Sequence, residues 1–281
     1  VYSLLVDDRG AVWVGHFQAG LDYSLYQNGL FRTYAYPPLF NSANLSIRSF
    51  ISRGQEKVIG SRDGLFYINE ATGMVKSFVK PVLTSDLILT ISFYQGEYYI
   101  GTYGGGMMVL NPETLSLKYF SQSDTELFQK GHIFCVKPDT KGNLWIGTSQ
   151  GLFNYNGQTK QIKHFTSANS QLLEGNVYEV SFDSTGKGWI ATETGMCIYD
   201  PASQNLRSNV FPEGFVNKDK VRTIYEDSEH NLYFIREKGS LFTSTLTMDR
   251  FYNQSVFSTL PDNSLMAIVE DNQGWLWVGC N

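Results

Sequence analysis

Charge is scarce in this chain. Asp, Glu, Lys and Arg make up 17% of its 281 residues, the formal net charge is −5, and no run of Lys or Arg occurs. Proteins that hold phosphate backbones need the opposite balance, so nucleic acid is not an expected partner. Cysteine is rarer still: Cys135, Cys197 and Cys280 lie far apart and form neither a metal knuckle nor a disulfide framework. They read as small apolar strand residues. The four histidines, His16, His132, His164 and His230, show no His-x-x-x-His spacing and no neighbouring Cys, so neither a metal site nor any other cofactor is expected. No apolar run approaches the ~18 residues of a membrane-spanning helix, and the longest, around Leu87 to Phe93, is strand-sized. An initiator Met, a basic leader and a signal segment are all missing, and Val1 falls inside an apolar strand pattern. The expectation is that an upstream segment has been removed.

Aromatic residues, at 15%, and glycine, at 26 residues, are abundant. Together they suit strands joined by tight turns. The clearest unit is Ile133 to Phe165, IFCVKPDTKGNLWIGTSQGLFNYNGQTKQIKHF, and its parts recur along the chain. Aligning the Gly of its Trp-Ile-Gly triplet gives Gly15, Gly60, Gly101, Gly147, Ala191, Ile235 and Gly279, at spacings of 45, 41, 46, 44, 44 and 44. A period this even marks a repeat architecture.

Each unit reads as four strands. In the clearest one, Ile133 to Lys137 alternates, Asp139 to Asn143 makes a tight hairpin, and Leu144 to Gly147 begins a second strand. Gly151 to Tyr155 and Ile162 to Phe165 follow as the third and fourth. The Trp recurs as Trp13, Tyr99, Trp189, Tyr233 and Trp277, with Val58 or Ile59 in its place in the divergent second unit. Four short antiparallel strands bury both faces only when stacked radially on copies of themselves. The fold class is therefore all-β, a β-propeller with four-stranded antiparallel blades, and the recurrent aromatic is a filler between blades. Residues 1–281 form one domain, with repeats at about 1–45, 46–86, 87–130, 131–174, 175–218 and 219–262, and a partial one at 263–281. That makes six full repeats and half of a seventh, the reading being a truncated seven-bladed ring that needs about 25 more residues at one unit per ~44.

With the first strand innermost, the Asp-x-x-Gly turns share one end of the ring. They are Asp7 to Gly10, Asp139 to Gly142, Asp183 to Gly186 and Asp271 to Gly274, with Asp227 to His230 lacking the Gly. Asp bonded to its own turn explains them without chemistry. The loops after the second strand share the other end and differ from unit to unit, supplying His16, Phe17, Arg62, Tyr103, Gln150, Glu193 and Arg236. Variable polar, charged and aromatic groups on one rim make these seven the candidate ligand-binding residues. No catalytic residue is expected. Gly147-Thr148-Ser149-Gln150-Gly151 fits a serine nucleophile elbow in letters, but it joins two strands where that elbow needs a strand and a helix. Gly104-Gly105-Gly106 lacks the Lys and the helix of a phosphate loop and reads as a flexible hairpin tip.

The units DDRGAVWVGHFQAGLDYS, DTKGNLWIGTSQGLFNYN, DSTGKGWIATETGMCIYD and DNQGWLWVGC resemble two-component regulator propeller repeats. These build the extracytoplasmic sensor region of hybrid two-component systems, best represented in gut Bacteroidetes. The resemblance covers essentially the whole chain and is weakest in the second and sixth units. It implies a periplasmic sensor propeller of a parent histidine kinase/response regulator, responding to oligosaccharides. It also implies a homodimer formed through the full-length protein, with membrane attachment only through segments downstream of this one. Two other functions stay open: a non-catalytic scaffold for protein–protein interaction or dimerisation, and a propeller lyase or glycosidase.

Overall fold

The computed structural model describes residues 1–24, 31–34, 45–120, 126–208, 219–236, 241–247, 251–253 and 265–280. Among the described residues, six antiparallel sheets of four strands and one of two follow each other in sequence order, the strands within each sheet pairing in order. Blade 4 is typical, with strands Ile133–Pro138, Asn143–Thr148, Gly151–Asn156 and Ile162–Phe165. Blade 7 consists of Leu265–Glu270 and Leu276–Cys280. The first strands of all seven blades line one axial channel of about 560 Å³. The ring closes where blade 7 meets blade 1: the Val1 ammonium donates to the Cys280 carbonyl at 2.6 Å, and Trp277 packs edge-on against Phe31 at 5.7 Å. Among the described residues the one helix is short, Glu126–Lys130, and none is long and apolar enough to cross a membrane.

Among the described residues, apolar side chains gather in separate clusters between adjacent blades, as stacked sheets require. The recurrent aromatic sits in these seams. Trp145 of blade 4 reaches Phe182 and Tyr199 of blade 5, with ring centroids at 5.9 and 4.5 Å, and Trp13 of blade 1 reaches Phe50 of blade 2 at 5.0 Å.

Each Asp turn holds its Trp in place. Asp183 Oδ1 accepts the amides of Thr185 at 2.9 Å and Lys187 at 3.0 Å, while its Oδ2 accepts the indole N–H of Trp189 at 2.8 Å. Asp7 with Trp13, Asp139 with Trp145 and Asp271 with Trp277 repeat the arrangement, and in blade 6 the Tyr233 hydroxyl donates to Asp227. One carboxylate thus closes the hairpin and fixes the rotamer of the residue that fills the next seam. Blades 2 and 3 lack the carboxylate and turn instead through Gly54 and through Gln95-Gly96, all at positive φ.

The aligned Gly serves close approach between blades. A Cβ on Gly147 would lie 2.5 Å from Cys135 Sγ and 2.7 Å from the Val177 carbonyl of blade 5. On Gly60 it would meet Ile88 of blade 3, and on Gly279 it would meet Val1 of blade 1. In blades 5 and 6 the seam accepts a side chain at this position, Ala191 clustering with Val221 and Ile235 with Leu265. Cys135 and Cys197 are buried strand residues whose thiols burial pushes up to about 12.

Burial works against ionising Asp7, Asp227 and Asp271, but the indole or phenol and the turn amides that donate to each outweigh it. Their pKa values lie below the usual carboxylate range. A folded pKa below the unfolded one, about 3.9 for Asp, gives stability that is present above about pH 4 and lost as pH falls through the folded values. Denaturant melts across pH should therefore show stability level at neutral pH and falling below about pH 4. Asp183→Ala strands one buried indole N–H and two turn amides, and should cost about 2–4 kcal/mol at neutral pH in the same melts. Gly147→Ala should cost about 1–3 kcal/mol because the new methyl would meet both the buried Cys135 Sγ and the backbone carbonyl of Val177.

Candidate functional site

The rim opposite the Asp turns is built by one recurring device. In blades 2 to 7 the first strand carries an extra residue near its start, just after a buried aliphatic. Ile47 pairs with Ser61 and Ser49 with Gly60, leaving Arg48 as the extra residue. Leu89, Phe134, Tyr178, Arg222 and Met266 are left over in the same way. Such a bulge bends the strand and re-aims the side chain it releases. In blade 1, Tyr2 holds the equivalent place, its amide donating to the Gly15 carbonyl at 2.8 Å. These seven half-buried side chains meet at the mouth of the channel around a cavity of about 210 Å³.

The loops of the rim surround that mouth and are tied to it. In blades 2 to 5 the amide two residues after the aligned position donates to the linker from the preceding blade: Arg62 N–H to Ser46, Tyr103 N–H to Leu87, Ser149 N–H to His132 and Glu193 N–H to Asn176. In most blades a hydroxyl closes the loop as well, Thr148 Oγ1 donating to the Gly151 carbonyl at 2.8 Å and Thr192 to Gly195 at 2.9 Å.

Two of the seven candidate residues, Phe17 and Glu193, contact mouth residues directly, and a third, Tyr103, reaches them through His132. Phe17, 43% exposed, meets Tyr2 edge-on at 5.3 Å. Tyr103, 50% exposed, stacks on His132 at 3.9 Å and 22°, and an arc of rings continues through Phe134 to Tyr178. Glu193 accepts from the Tyr178 hydroxyl, from Asn176 at 3.3 Å and from Lys220 at 3.4 Å. The Tyr178 hydrogen bond, with Lys220 adding its charge, outweighs the opposing effect of burial and holds the Glu193 carboxyl below its ordinary range. Lys220 also lies 4.3 Å above the Tyr178 ring.

The other four are placed differently. His16 Nε2 is 3.0 Å from Asp22, within its own hairpin. Arg62 and Gln150 are exposed on their loops, the Gln150 carbonyl bonded to His164 Nε2 at 2.8 Å. Arg236 is buried, at 6% exposure, because it stands where four other blades bury a Ser or Thr: Ser61, Thr102, Thr148 and Thr192. It pairs with Asp219 and lies 4.9 Å from the Phe242 ring centre. The Gly-x-Ser-x-Gly stretch spans a hairpin between the second and third strands of blade 4. The Gly104–Gly106 run is packed, not loose. The Thr84 hydroxyl donates to the Gly105 carbonyl at 2.6 Å, and a Cβ on Gly106 would strike the Phe128 carbonyl.

The mouth residues themselves escape a reading based on loops, because they lie inside predicted strands. A signal was there. At the position before the aligned one by twelve or thirteen residues the repeats read Tyr2, Arg48, Leu89, Phe134, Tyr178, Arg222 and Met266, although the preceding residue is aliphatic every time. Chemical variety at one register of a conserved-looking strand marks an unshared environment.

Deeper in the channel, burial pushes the Glu179 carboxyl up, and Lys137 Nζ, at 3.5 Å, offsets part of that effect. On the Asp-turn side a larger groove, about 630 Å³, opens between blades 4 and 5. It is lined by turn residues and by Asn143, Asn154 and Asn156, and Asp139 on its edge is already committed to Trp145. Its chemistry is that of the repeat itself, whereas the mouth presents a different side chain from nearly every blade.

The family model described as two component regulator propeller matches residues 128–150 and 259–281. No curated protein matches the sequence. Among solved structures, the extracellular domain of a putative hybrid two component system from B. thetaiotaomicron is 23% identical, with a TM-score of 0.64 over 99% of this chain and 43% of that one. The extracellular domain of a second such system from the same organism is 16% identical, with a TM-score of 0.78 over 100% of this chain and 36% of that one. The chain thus spans less than half the length of either. Virginiamycin B lyase from Staphylococcus aureus is 12% identical, with a TM-score of 0.74, and this chain covers 91% of it. At these identities the likeness is one of fold. Residues 128–150 and 259–281 thus match two-component regulator propeller repeats, and the described ring shares its fold with extracellular domains of hybrid two-component systems.

Proposed function

We propose that this chain is the ligand-recognising propeller of the periplasmic part of a two-component signalling protein, and that its channel-mouth rim recognises an oligosaccharide. One observation carries the reading: the arc Tyr103, His132, Phe134 and Tyr178, continued by Glu193 and Lys220, borders an open mouth. Ring faces stack on the apolar faces of sugars, and a carboxylate and an ammonium at their edge bond hydroxyls. The repeat match and the shared fold support the sensor context. The segment is read as non-catalytic, Glu193 being engaged with Tyr178 and Lys220, and His16 with Asp22. Signalling then belongs to other parts of a larger protein, acting as a dimer.

Calorimetry of the chain, and of the full extracytoplasmic region containing it, against a panel of glycan fragments tests this directly. At least one fragment should bind, and Tyr103→Ala should weaken it about ten-fold, the value of roughly 1.4 kcal/mol of lost stacking. Tyr103 is exposed, so the substitution leaves the fold intact. Failure of every fragment to bind would remove direct sensing by this ring.

A further inference from the structure

The cavity at the centre of the mouth has a composition unlike the rest of the rim. Two guanidiniums line it, Arg48 from blade 2 and Arg222 from blade 6, and no carboxylate is among its described lining residues. Arg48 Nε is buried without a hydrogen-bond partner, and its guanidinium lies 4.6 Å from the centre of the Tyr2 ring. A buried N–H left unmade costs roughly 1–3 kcal/mol, and a guanidinium presents its donors as a fork matched to a carboxylate. The remaining wall is aromatic and aliphatic, from Tyr2, Phe134 and Tyr178 with Leu89 and Met266. At about 210 Å³ the cavity lies below the usual size of small-molecule sites and has room for one ring, not for a chain of them.

We infer that the mouth cavity binds a single six-membered ring bearing a carboxylate, its anionic group held by Arg48 and Arg222 and its faces by the aromatic walls. This rests on the reading of the rim as a recognition surface and adds the charge and size of the group at its centre. The Glu193 side, with Lys220, lies outside this cavity and handles neutral polar groups. The ligand chemistry has two sources, a sugar acid at the end of an oligosaccharide or a free aromatic acid.

Ligand-observed NMR on the intact chain, with glucuronate, benzoate, glucose and a neutral oligosaccharide as probes, separates the cases. Glucuronate should bind, glucose should not, and Arg48→Gln or Arg222→Gln should weaken glucuronate at least ten-fold. Lys141→Gln, on the exposed Asp-turn face, should leave it unchanged. Binding of benzoate in place of glucuronate, with the same two losses, supports the site and assigns it to aromatic acids. Should Arg48→Gln fail to fold, Arg48→Lys keeps the charge and loses the fork, and should still weaken the acid. Binding of neither acid, or of an acid indifferent to both arginines, overturns the inference. A neutral oligosaccharide that binds while neither acid does would overturn the acidic centre and leave rim recognition standing.

Discussion

The carboxylate of Asp183 accepts two amides of its own turn with one oxygen and the indole of Trp189 with the other, and four more blades repeat this bond set, one of them with the Tyr233 hydroxyl in place of an indole. The placement of the blades depends on it. Each turn residue both ends a strand and fixes the large side chain that fills the next seam, so hairpin geometry and inter-blade packing are set by one group. A charged acceptor makes stronger bonds than a neutral one, and these lie in partly dry surroundings where loss is costly. Blades 2 and 3 show the alternative. There, half-buried Glu56 accepts from Tyr67 at 2.5 Å and Tyr98 at 2.8 Å, so a carboxylate again links side chains across a seam from a different position.

Packing fixed at the turns leaves the opposite end free to vary. Each first strand starts from an aliphatic residue pressed against the neighbouring blade's aligned position, a Gly in five of the seven seams, and in blades 2 to 7 releases the residue after it through a bulge. Backbone thus carries the aromatic, cationic and aliphatic groups of seven blades to one axis. Their positions follow from sheet register and not from loop conformation, which is how a binding surface can be rigid without a conserved loop.

Much of the fold was legible in the sequence because the seams impose it. The spacing of the aligned Gly reflects a steric limit between blades, and the Asp with its Trp six residues on reflects a hydrogen bond. The half-unit at the end of the chain was legible for the same reason. Closure of the ring through Val1, Cys280 and the Phe31–Trp277 contact was not, since it joins residues at opposite ends. The site was only partly legible. Phe17, Tyr103 and Glu193 reach the mouth, but register shifts leave no mark in composition, so Arg48, Phe134 and Tyr178 read as ordinary strand residues. Arg236 looked like a rim charge because its letter is polar, while its position is one that other blades bury. The Gly104–Gly106 run looked loose because three glycines are compatible both with freedom and with close packing against backbone.

The central claim is that recognition belongs to the channel mouth and not to the repetitive face or the blade flanks. Backbone amide chemical-shift mapping of the chain during titration with a binding glycan or sugar acid tests it most directly. The account predicts the largest perturbations at Arg48, Phe134 and Tyr178 and at the neighbouring rim residues Tyr103 and Glu193. Perturbations centred on Asn143, Asn154 and Tyr199, in the groove on the Asp-turn side, with the mouth unmoved, would contradict it.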